Sequence, residues 1–176
     1  MTAERLEDLT LDRFETPIGT ALAVVDGAGV LRAFDWTDHE ARMRTLLARR
    51  YAGVCPRQGP APAVRAAFEA YFAGDHLALE VLATEPRGTA FQRRVWDALL
   101  TIPAGQTLSY AGLAARIGAP TAMRAVGLAN GANPIALAIP CHRVIGANGT
   151  LTGYGGGLHR KRWLLAHEGA SFREAA

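Results

Sequence analysis

Cysteine, histidine and arginine stand side by side at positions 141–143, in the stretch LAIPCHRVIG, where an apolar run ends in a proline. A thiol reacts as the thiolate, and a neighbouring imidazole can take its proton directly or through water. A structural cysteine needs no such neighbours, so the stretch points to Cys141 as a nucleophile and His142 as its base. On this dipeptide alone, a small buried cysteine beside a surface histidine remains the simpler interpretation.

A histidine that acts as a base usually needs a third group to hold its orientation and stabilise its cation. The second half of the chain offers only Asp97, Glu168 and Glu174. Asp97 lies in an amphipathic helix pattern and Glu174 lies in the tail. Glu168 falls near the end of the last predicted helix, where the helix dipole disfavours a carboxylate. We therefore expect Glu168 to orient His142, with an ordinary helix-end acid as the alternative.

The two halves of the chain differ in charge. Residues 1–90 carry ten arginines against thirteen acids, whereas residues 91–176 carry nine basic residues against three acids. A basic half nearly free of acids suits a polyanionic partner such as DNA. A chance asymmetry of surface charge is the alternative at this point.

Composition is that of a soluble globular protein, with 49% hydrophobic and 20% charged residues. No apolar run approaches the roughly 18 residues of a membrane span. The N-terminal stretch MTAERLEDLTLDRFE is acidic and lacks the order of a signal peptide. These features predict a cytoplasmic or nucleoid location and no membrane partner.

The chain has two cysteines, Cys55 and Cys141, and neither has a CxxC partner or a nearby pair of histidines. Without a secretion signal a disulfide is not expected, and at least one thiol should be free. The spacing predicts no metal site and no cofactor. Cys55, which precedes Pro56 after a helix, is interpreted as structural.

The first half shows a β-hairpin pattern, with apolar stretches on both sides of Asp-Gly-Ala-Gly at 26–29. Helices are predicted over 39–53 and 63–72, and a short strand over 78–83. The polar stretch ATEPRGT at 83–89 is the best domain boundary, because the chain is net acidic before it and net basic after it. We expect a structural domain over 1–86 and a second domain over 87–176, whose basic charge suits DNA binding.

In the second half, helices over 107–118 and 121–133 flank a Gly-Ala-Pro turn. Ser109 or Thr107 is expected to cap the first helix and Thr121 the second. This order is that of a helix-turn-helix unit, although such helix pairs also occur in ordinary helical cores.

The rest of the second half supplies the surroundings of that unit. A helix is predicted over 89–103 and another over 158–169. IALAIP at 135–140 is interpreted as a buried extended segment leading to Cys141. GANGTLTGYGGG at 146–157 holds six glycines in twelve residues, which suits a loop that closes over a site.

The second half closely resembles the O6-alkylguanine-DNA alkyltransferases, a family of direct-reversal DNA repair proteins. Residues 140–143 carry the family's core motif Pro-Cys-His-Arg, and Asn-Pro precedes them at 133–134. GYGGGLHRKRWLLAHEG follows, with the family's Leu-Leu-x-x-Glu at the family's spacing. The match covers about residues 91–169, whereas residues 1–86 share only a coarse order of strands and helices.

The resemblance implies a two-domain α/β (α+β) fold. A small N-terminal antiparallel sheet with helices would precede a mostly helical domain containing a winged-helix-like helix-turn-helix. It also implies the activity of a methylated-DNA–protein-cysteine S-methyltransferase, which moves an alkyl group from guanine O6 to its own cysteine once and irreversibly. Repair of O4-alkylthymine stays open.

By this resemblance Cys141 accepts the alkyl group, His142 removes its proton through a bridging water, and Glu168 holds His142. Arg143 would serve structure and polarity. Guanine leaves poorly as an anion, so a proton donor must reach the ring. Tyr110 matches the family's donor, with a half-buried packing tyrosine as the alternative.

Because the reacting atom lies inside a duplex, the nucleotide must rotate out of the stack. Arg124 matches the residue that fills the gap, and an ordinary exposed arginine is the alternative. Small neighbours fit close approach to a minor groove. The DNA-binding residues implied are Thr121, Ala122, Arg124, Ala125 and Gly127, with phosphate contacts from Arg93, Arg94, Arg116 or the helix N-terminus.

The base pocket implied by the resemblance is formed by Asn133, Val144, Tyr154, Gly155 and Gly156, together with the backbone of Cys141. Gly155 stands where some family members carry a serine, and Ala136 is small. We expect a roomier pocket that accepts ethyl or larger adducts. The zinc site of some members has no counterpart here.

Other functions remain to be weighed. A lesion-binding sensor of the same fold is the main alternative, although such relatives replace the cysteine. A cysteine hydrolase would need an oxyanion hole, for which no motif appears. A transcription regulator would give the Cys-His-Arg motif no role. The expected partner is duplex DNA with alkylated bases, bound by a monomer, with cooperative binding left open.

Overall fold

The computed structural model describes residues 8–51 and 54–174. The chain divides into two compact units, Met1–Arg87 and Gly88–Ala176. Within the described ranges, no helix has the length and apolar character needed to cross a membrane.

The N-terminal unit is built on a four-stranded sheet with the order β3-β2-β1-β4. Its strands are β1 (Thr10–Thr16), β2 (Gly19–Val25), β3 (Leu31–Trp36) and β4 (Arg57–Gln58). The predicted hairpin between β2 and β3 is confirmed. Asp26 closes its turn, because its Oδ1 accepts hydrogen bonds from the backbone N–H groups of Ala28 and Val30.

The sheet is mixed, which corrects the expectation of a purely antiparallel one. Strands β1, β2 and β3 are antiparallel, but β4 pairs parallel to β1. The chain crosses over through helix α1 (Glu40–Arg50) before it returns as β4. A crossover of this length lets a strand return in the same direction.

Two helices cover this sheet. Helix α1 matches the helix predicted over 39–53, of which residues 52 and 53 lie outside the described ranges. Helix α2 (Pro62–Phe72) confirms the other prediction and begins at a proline, whose fixed φ suits a first helical position. Phe68 of α2 stacks on Phe34 of β3, with ring centroids 4.1 Å apart.

The strand predicted over 78–83 is wrong. Ala78–Val81 forms a 3₁₀ turn instead. Ala78 and Leu79 are buried next to each other, whereas Val81 is exposed, so burial does not alternate as a strand requires. Asp75 starts the turn, because its carboxylate accepts from the N–H of Leu77.

Over residues 88–174, the C-terminal unit contains four α-helices and one short strand pair. These are α3 (Ala90–Leu99), β5 (Leu108–Ser109), α4 (Tyr110–Arg116), α5 (Met123–Gly131), β6 (Val144–Ile145) and α6 (Leu158–His167). Helix α3 begins with a capping box between Thr89 and Gln92. Trp96 of α3 donates from its indole nitrogen to the backbone oxygen of Ala129, which ties α3 to α5.

The helix-turn-helix is formed by α4 and α5. Ser109 caps α4 as predicted, since its hydroxyl accepts from the N–H of Gly112. The predicted cap at Thr121 is wrong, because α5 begins at Met123 and no side chain caps it. The N–H of Ala122 still donates to Ala119 in the preceding turn, which delays the helix by two residues.

The segment 135–140 is buried as predicted, but it is coiled rather than extended. The N–H groups of Ala138 and Ile139 donate back to Ala136 and Ile135, and Leu137 has a φ of +69°. Asn133 drives the coiling, since its side chain bonds the backbone on both sides of the bend. Three local turns therefore deliver the chain to Cys141.

Candidate active site

Cys141 begins a 3₁₀ turn, Cys141–Arg143, that joins the coiled segment to β6. The residue is buried, with 6% of its surface exposed, and its thiol is not part of a disulfide. Its N–H donates to the oxygen of Ile139 at 2.8 Å, which fixes the start of the turn. His142 and Arg143 follow Cys141 within this turn, and both side chains contact Glu168.

Glu168 joins the two neighbours of the cysteine in one buried network. Its Oε1 lies 2.9 Å from His142 Nε2, and neither side chain has exposed surface. Arg143 donates to the same carboxylate from Nε at 3.0 Å and from Nη2 at 2.9 Å. A third donation, from Arg143 Nη1 to the oxygen of Ile102 at 2.6 Å, anchors the network to the segment after α3.

The charge states in this network follow from burial and pairing. Burial lowers the pKa of His142, and this effect outweighs the opposing pull of Glu168. Burial alone would raise the pKa of Glu168, but His142 and Arg143 lower it well below its usual range. We take Glu168 as ionised, because a bidentate guanidinium is always charged, and His142 as neutral.

A neutral His142 has one nitrogen left for chemistry. Its Nε2 faces Glu168, a permanent acceptor, so Nε2 carries the hydrogen and Nδ1 carries the lone pair. Nδ1 is buried and has no hydrogen-bond partner among the described residues. An unpaired imidazole nitrogen next to a thiol can act as a general base.

Sequence reasoning missed Lys161, which is the only lysine of the chain. It has no exposed surface, and its ammonium donates to the backbone oxygens of Val144 and Thr152. Burial lowers its pKa to about 8, while the charge of Cys141 acts in the opposite direction. Coulomb attraction is mutual, so this ammonium stabilises a thiolate at Cys141.

Lys161 gave no distinct signal in the sequence. It lies within the basic run HRKR of α6, which is typical of a solvated helix face. Helical spacing could have found it, because Lys161 stands three and four residues before the buried Leu164 and Leu165.

Tyr110, the first residue of α4, is half-buried. Its hydroxyl accepts from Thr152 Oγ1 at 3.3 Å. Its ring faces Gly127 of α5, where an added Cβ would lie 3.8 Å from two ring carbons. Tyr110 thus lies between α5 and the glycine-rich loop.

The predicted pocket residues lie on segments before and after the Cys141–Arg143 turn. Val144 is buried and follows it directly, and Asn133 holds the coiled segment before it. Tyr154 is half-buried, with its ring centroid 6.5 Å from that of His142. Gly155 is half-buried, and buried Gly156 accepts at its backbone oxygen from Arg160 of α6.

The outer face of α5 is exposed. Thr121, Arg124 and Ala125 are exposed, and Ala122 and Gly127 are half-exposed. Sequence reasoning also missed the exposure of Leu128, which lies one turn after Arg124 and is 72% exposed.

The three other arginines expected to contact phosphate are all exposed. Arg94 donates to the oxygen of Ile117, and Arg116 donates to the hydroxyl of Thr101. Both acceptors are uncharged, so these bonds leave the positive charge of each arginine unneutralised and able to attract a phosphate.

Outside this region, Cys55 is exposed and is not part of a disulfide. Among the described residues, no group of three or more histidine, cysteine or acidic side chains is arranged to hold a metal ion.

Comparison with known proteins bears on this geometry. A family model described as "6-O-methylguanine DNA methyltransferase, DNA binding domain" matches residues 90–170. A methylated-DNA–protein-cysteine methyltransferase from Salmonella typhimurium is 48% identical over 161 residues, which cover 90% of this chain and 94% of the relative. The chain belongs to this methyltransferase family.

Other family members extend the comparison. A methylated-DNA–protein-cysteine methyltransferase from Mycobacterium tuberculosis is 65% identical over 99 residues, which cover 56% of this chain and 59% of the relative. The solved structure of Mycobacterium tuberculosis OGT in complex with DNA is 42% identical, with a TM-score of 0.76 over 91% of this chain and 92% of that one. The predicted α/β two-domain fold is the fold of this family.

Proposed function

We propose that this protein repairs DNA by direct reversal, transferring a methyl or larger alkyl group from O6 of guanine in duplex DNA to Cys141. The transfer is irreversible, so each molecule acts once. One observation carries the assignment of Cys141. Its buried thiol is not in a disulfide, the next residue is a buried histidine whose Nδ1 has no partner among the described residues, and the chain's family transfers methyl groups to cysteine.

Activation of the thiol uses charges that the fold already holds in place. His142 Nδ1 takes the proton of Cys141 through a bridging water, and Glu168 stabilises the imidazolium that forms. Glu168 stays ionised because Arg143 pairs with it on two atoms. Lys161 stabilises the thiolate that remains. Arg143 and Lys161 therefore act by charge and position, without touching the alkyl group.

The thiolate attacks the alkyl carbon, so that the S–C bond forms as the bond from carbon to guanine O6 breaks. The electron pair of the broken bond goes to the guanine, which must gain a proton to leave as a neutral base. Tyr110 supplies that proton from its hydroxyl. The hydroxyl of Thr152 lies 3.3 Å from that of Tyr110 and can donate to it, which would leave the phenolic hydrogen for the base.

Recognition of DNA uses the outer face of α5. Ala125 and the half-exposed Gly127 are small and lie among the larger exposed side chains of Met123, Arg124 and Leu128. At these two positions the helix backbone can approach a minor groove closely. Arg124 fills the gap that the rotated nucleotide leaves. Thr121, Ala122, Ala125 and Gly127 line the approach, and Arg93, Arg94 and Arg116 attract the phosphates.

This role of Arg124 separates DNA handling from chemistry. The Arg124→Ala variant should transfer alkyl groups from duplex DNA much more slowly than wild type. With the free base O6-benzylguanine, which needs no rotation out of a helix, its rate should match wild type. Equal losses on both substrates would assign Arg124 to the chemical step or to folding instead.

The base pocket is formed by Asn133, Val144, Tyr154, Gly155 and Gly156. Its glycine wall supports our expectation of room for ethyl and larger adducts. Transfer from O6-benzylguanine in DNA should therefore proceed at a rate comparable to methyl transfer. Fast methyl transfer with negligible benzyl transfer would contradict this expectation.

The alternative of a lesion sensor keeps the same DNA-binding face but needs no nucleophile. Cys141 and its buried network argue against it, since a sensor would have no use for them. The partner we propose is duplex DNA carrying an alkylated base, bound by a monomer in the cytoplasm or nucleoid.

The function is tested on the DNA. A duplex with one O6-methylguanine inside a restriction site resists cleavage until guanine is restored. Wild type should restore one site per protein molecule and then stop, and Cys55→Ser should behave in the same way. Cys141→Ser should restore none. Continued turnover, or restoration by Cys141→Ser, would overturn the proposal.

A further inference from the structure

Leu128 is a large apolar side chain that helix α5 leaves in solvent. It is 72% exposed, the highest value among the large hydrophobic side chains described over residues 88–174. One exposed leucine is ordinary on a protein surface. The meaning of this leucine depends on which residues share its face of the helix, on how firmly the helix is held and on what that face meets.

Leu128 shares its face of α5 with Arg124. The two residues lie four positions apart in the helix, so their Cβ atoms are about 5–6 Å from each other. Gly127 and Gly131, which adjoin Leu128 on this face, have no side chains, and Gly131 is exposed. Leu128 therefore projects above its surroundings, one helical turn beyond the arginine.

The opposite side of α5 ties the helix to the rest of the unit. Ala129 is buried, and its backbone oxygen accepts from the indole nitrogen of Trp96 at 2.9 Å. Asn130 is also buried, and its side chain donates to the backbone oxygen of Cys141. These contacts fix the backbone next to Leu128, so the leucine has a set position relative to the turn that carries the thiol.

The side chain of Leu128 gains free energy only by leaving water for another apolar surface. Phosphates and the polar base edges on the floor of a groove offer no such surface, but the flat faces of the bases do. Proteins that bind the minor groove insert apolar side chains between base pairs in this way. Insertion costs least beside a rotated nucleotide, because the stack is already broken there.

The spacing along α5 indicates which base step Leu128 reaches. Bases of one strand are about 3.4 Å apart, so the step between the first and second neighbours of a rotated nucleotide is centred about 5 Å from the gap. The Cβ atoms of Arg124 and Leu128 are separated by a similar distance, about 5–6 Å. With Arg124 in the gap, Leu128 therefore meets that step.

We propose that Leu128 is a wedge, which enters the stack between the first and second base pairs beside the lesion while Arg124 fills the gap. This inference rests on the proposed function, in which α5 faces the minor groove. The wedge holds the DNA open on one side of the lesion and slows the return of the rotated nucleotide. Leu128 touches neither the alkyl group nor Cys141, so it is a positioning residue.

The test places a fluorescent base where rotation of the lesion alone has no effect. 2-Aminopurine brightens when it loses stacking, and rotation unstacks only the immediate neighbours of the lesion. The duplexes carry O6-methylguanine with 2-aminopurine two positions away, on the 5′ side or on the 3′ side. Every protein carries Cys141→Ser, so that no transfer occurs during the measurement. At saturating protein, the reporter on one side should brighten with Leu128 and stay dark with Leu128→Ala.

Rates of transfer, measured with Cys141 in place, give the second readout. Leu128→Ala should act on duplex DNA roughly tenfold more slowly than wild type, because most of the apolar area of the leucine is lost. Its rate with the free base O6-benzylguanine should equal that of wild type, which shows that the variant is folded. Leu128→Met, which restores the apolar length, should recover both the rate and the fluorescence. Leu100→Ala, which removes an exposed leucine at the end of α3, is the matched control and should change neither.

A dark reporter on both sides with Leu128 present would overturn the inference, and so would equal brightening by Leu128→Ala. Equal losses on duplex DNA and on O6-benzylguanine would assign Leu128 to folding or to the chemical step. A wild-type dimer that Leu128→Ala abolishes, with unchanged transfer, would assign the leucine to a contact between two copies of the chain. Transfer from neither substrate by wild type would refute the proposed function, whereas the fluorescence of the Cys141→Ser proteins would still decide whether the wedge exists.

Discussion

The Glu168→Gln substitution tests whether the buried carboxylate holds the site together. Glutamine keeps the size of the side chain but removes its charge. The Arg143 side chain, which is 11% exposed, then has no counter-charge, and His142 loses its ionic acceptor. Breaking a buried ion pair by removing one partner costs about 3–5 kcal/mol.

We expect the lower end of that range, because the glutamine oxygen can still accept one bond from Arg143. A loss of about 3 kcal/mol is a large part of a total stability of about 5–15 kcal/mol. For a chain of this size it lowers Tm by roughly 6–12 °C, at about 2–4 °C per kcal/mol. Urea unfolding of wild type and variant measures the difference. Glu174→Gln, which removes an exposed carboxylate paired with Arg162, is the matched control and should show no measurable change.

The difference should also depend on pH. The folded protein lowers the pKa of Glu168 from its ordinary value of 4.5, so this carboxylate adds stability above about pH 4.5. That stability is lost as pH falls toward the folded pKa. The gap between wild type and Glu168→Gln should therefore narrow in acid. Equal stability of the two proteins at neutral pH, or a gap that widens in acid, would refute the reasoning.

Three further predictions concern other parts of the site. Lys161→Met should slow alkyl transfer by on the order of tenfold or more, because Cys141 loses a counter-charge. Folding lowers the pKa of Lys161 from 10.5 to about 8, so the unfolded chain binds this proton more tightly. As pH rises from about 8 to 10.5, the free energy of unfolding of wild type should therefore increase relative to that of the variant, which urea unfolding at each pH would measure. Tyr110→Phe should slow single-turnover transfer by about a hundredfold or more, as expected for loss of a general acid, without preventing DNA binding. Gly127→Ala should leave stability unchanged or raise it by less than about 1 kcal/mol, because the added Cβ has space in the free protein. The same Cβ should weaken duplex binding in a gel-shift titration, because it lies on the face that approaches the DNA.

The sequence was sufficient wherever one local rule acted alone. Apolar residues at helical spacing predicted α2, α3 and α6, and the Asp-Gly-Ala-Gly turn predicted the hairpin. Elimination worked for Glu168, because the second half has only three acids and two of them lie in solvated positions.

The sequence failed where long-range contacts or short turns decided the conformation. IALAIP has the composition of a buried strand, but the side chain of Asn133 bends it into turns. Lys161 carries a charge within a basic run, so its burial depends on carbonyls that only the folded chain brings near.

The most direct test of the central claim is the intact mass of the protein after incubation with duplex DNA that carries one O6-methylguanine. Wild type should gain one methyl group per molecule, located on the peptide that contains Cys141 and not on the peptide that contains Cys55. Cys141→Ser should gain none. A methyl group on another residue would contradict Cys141 as the acceptor, and no gain by wild type, with tighter binding to the lesion than to plain duplex, would favour a lesion sensor.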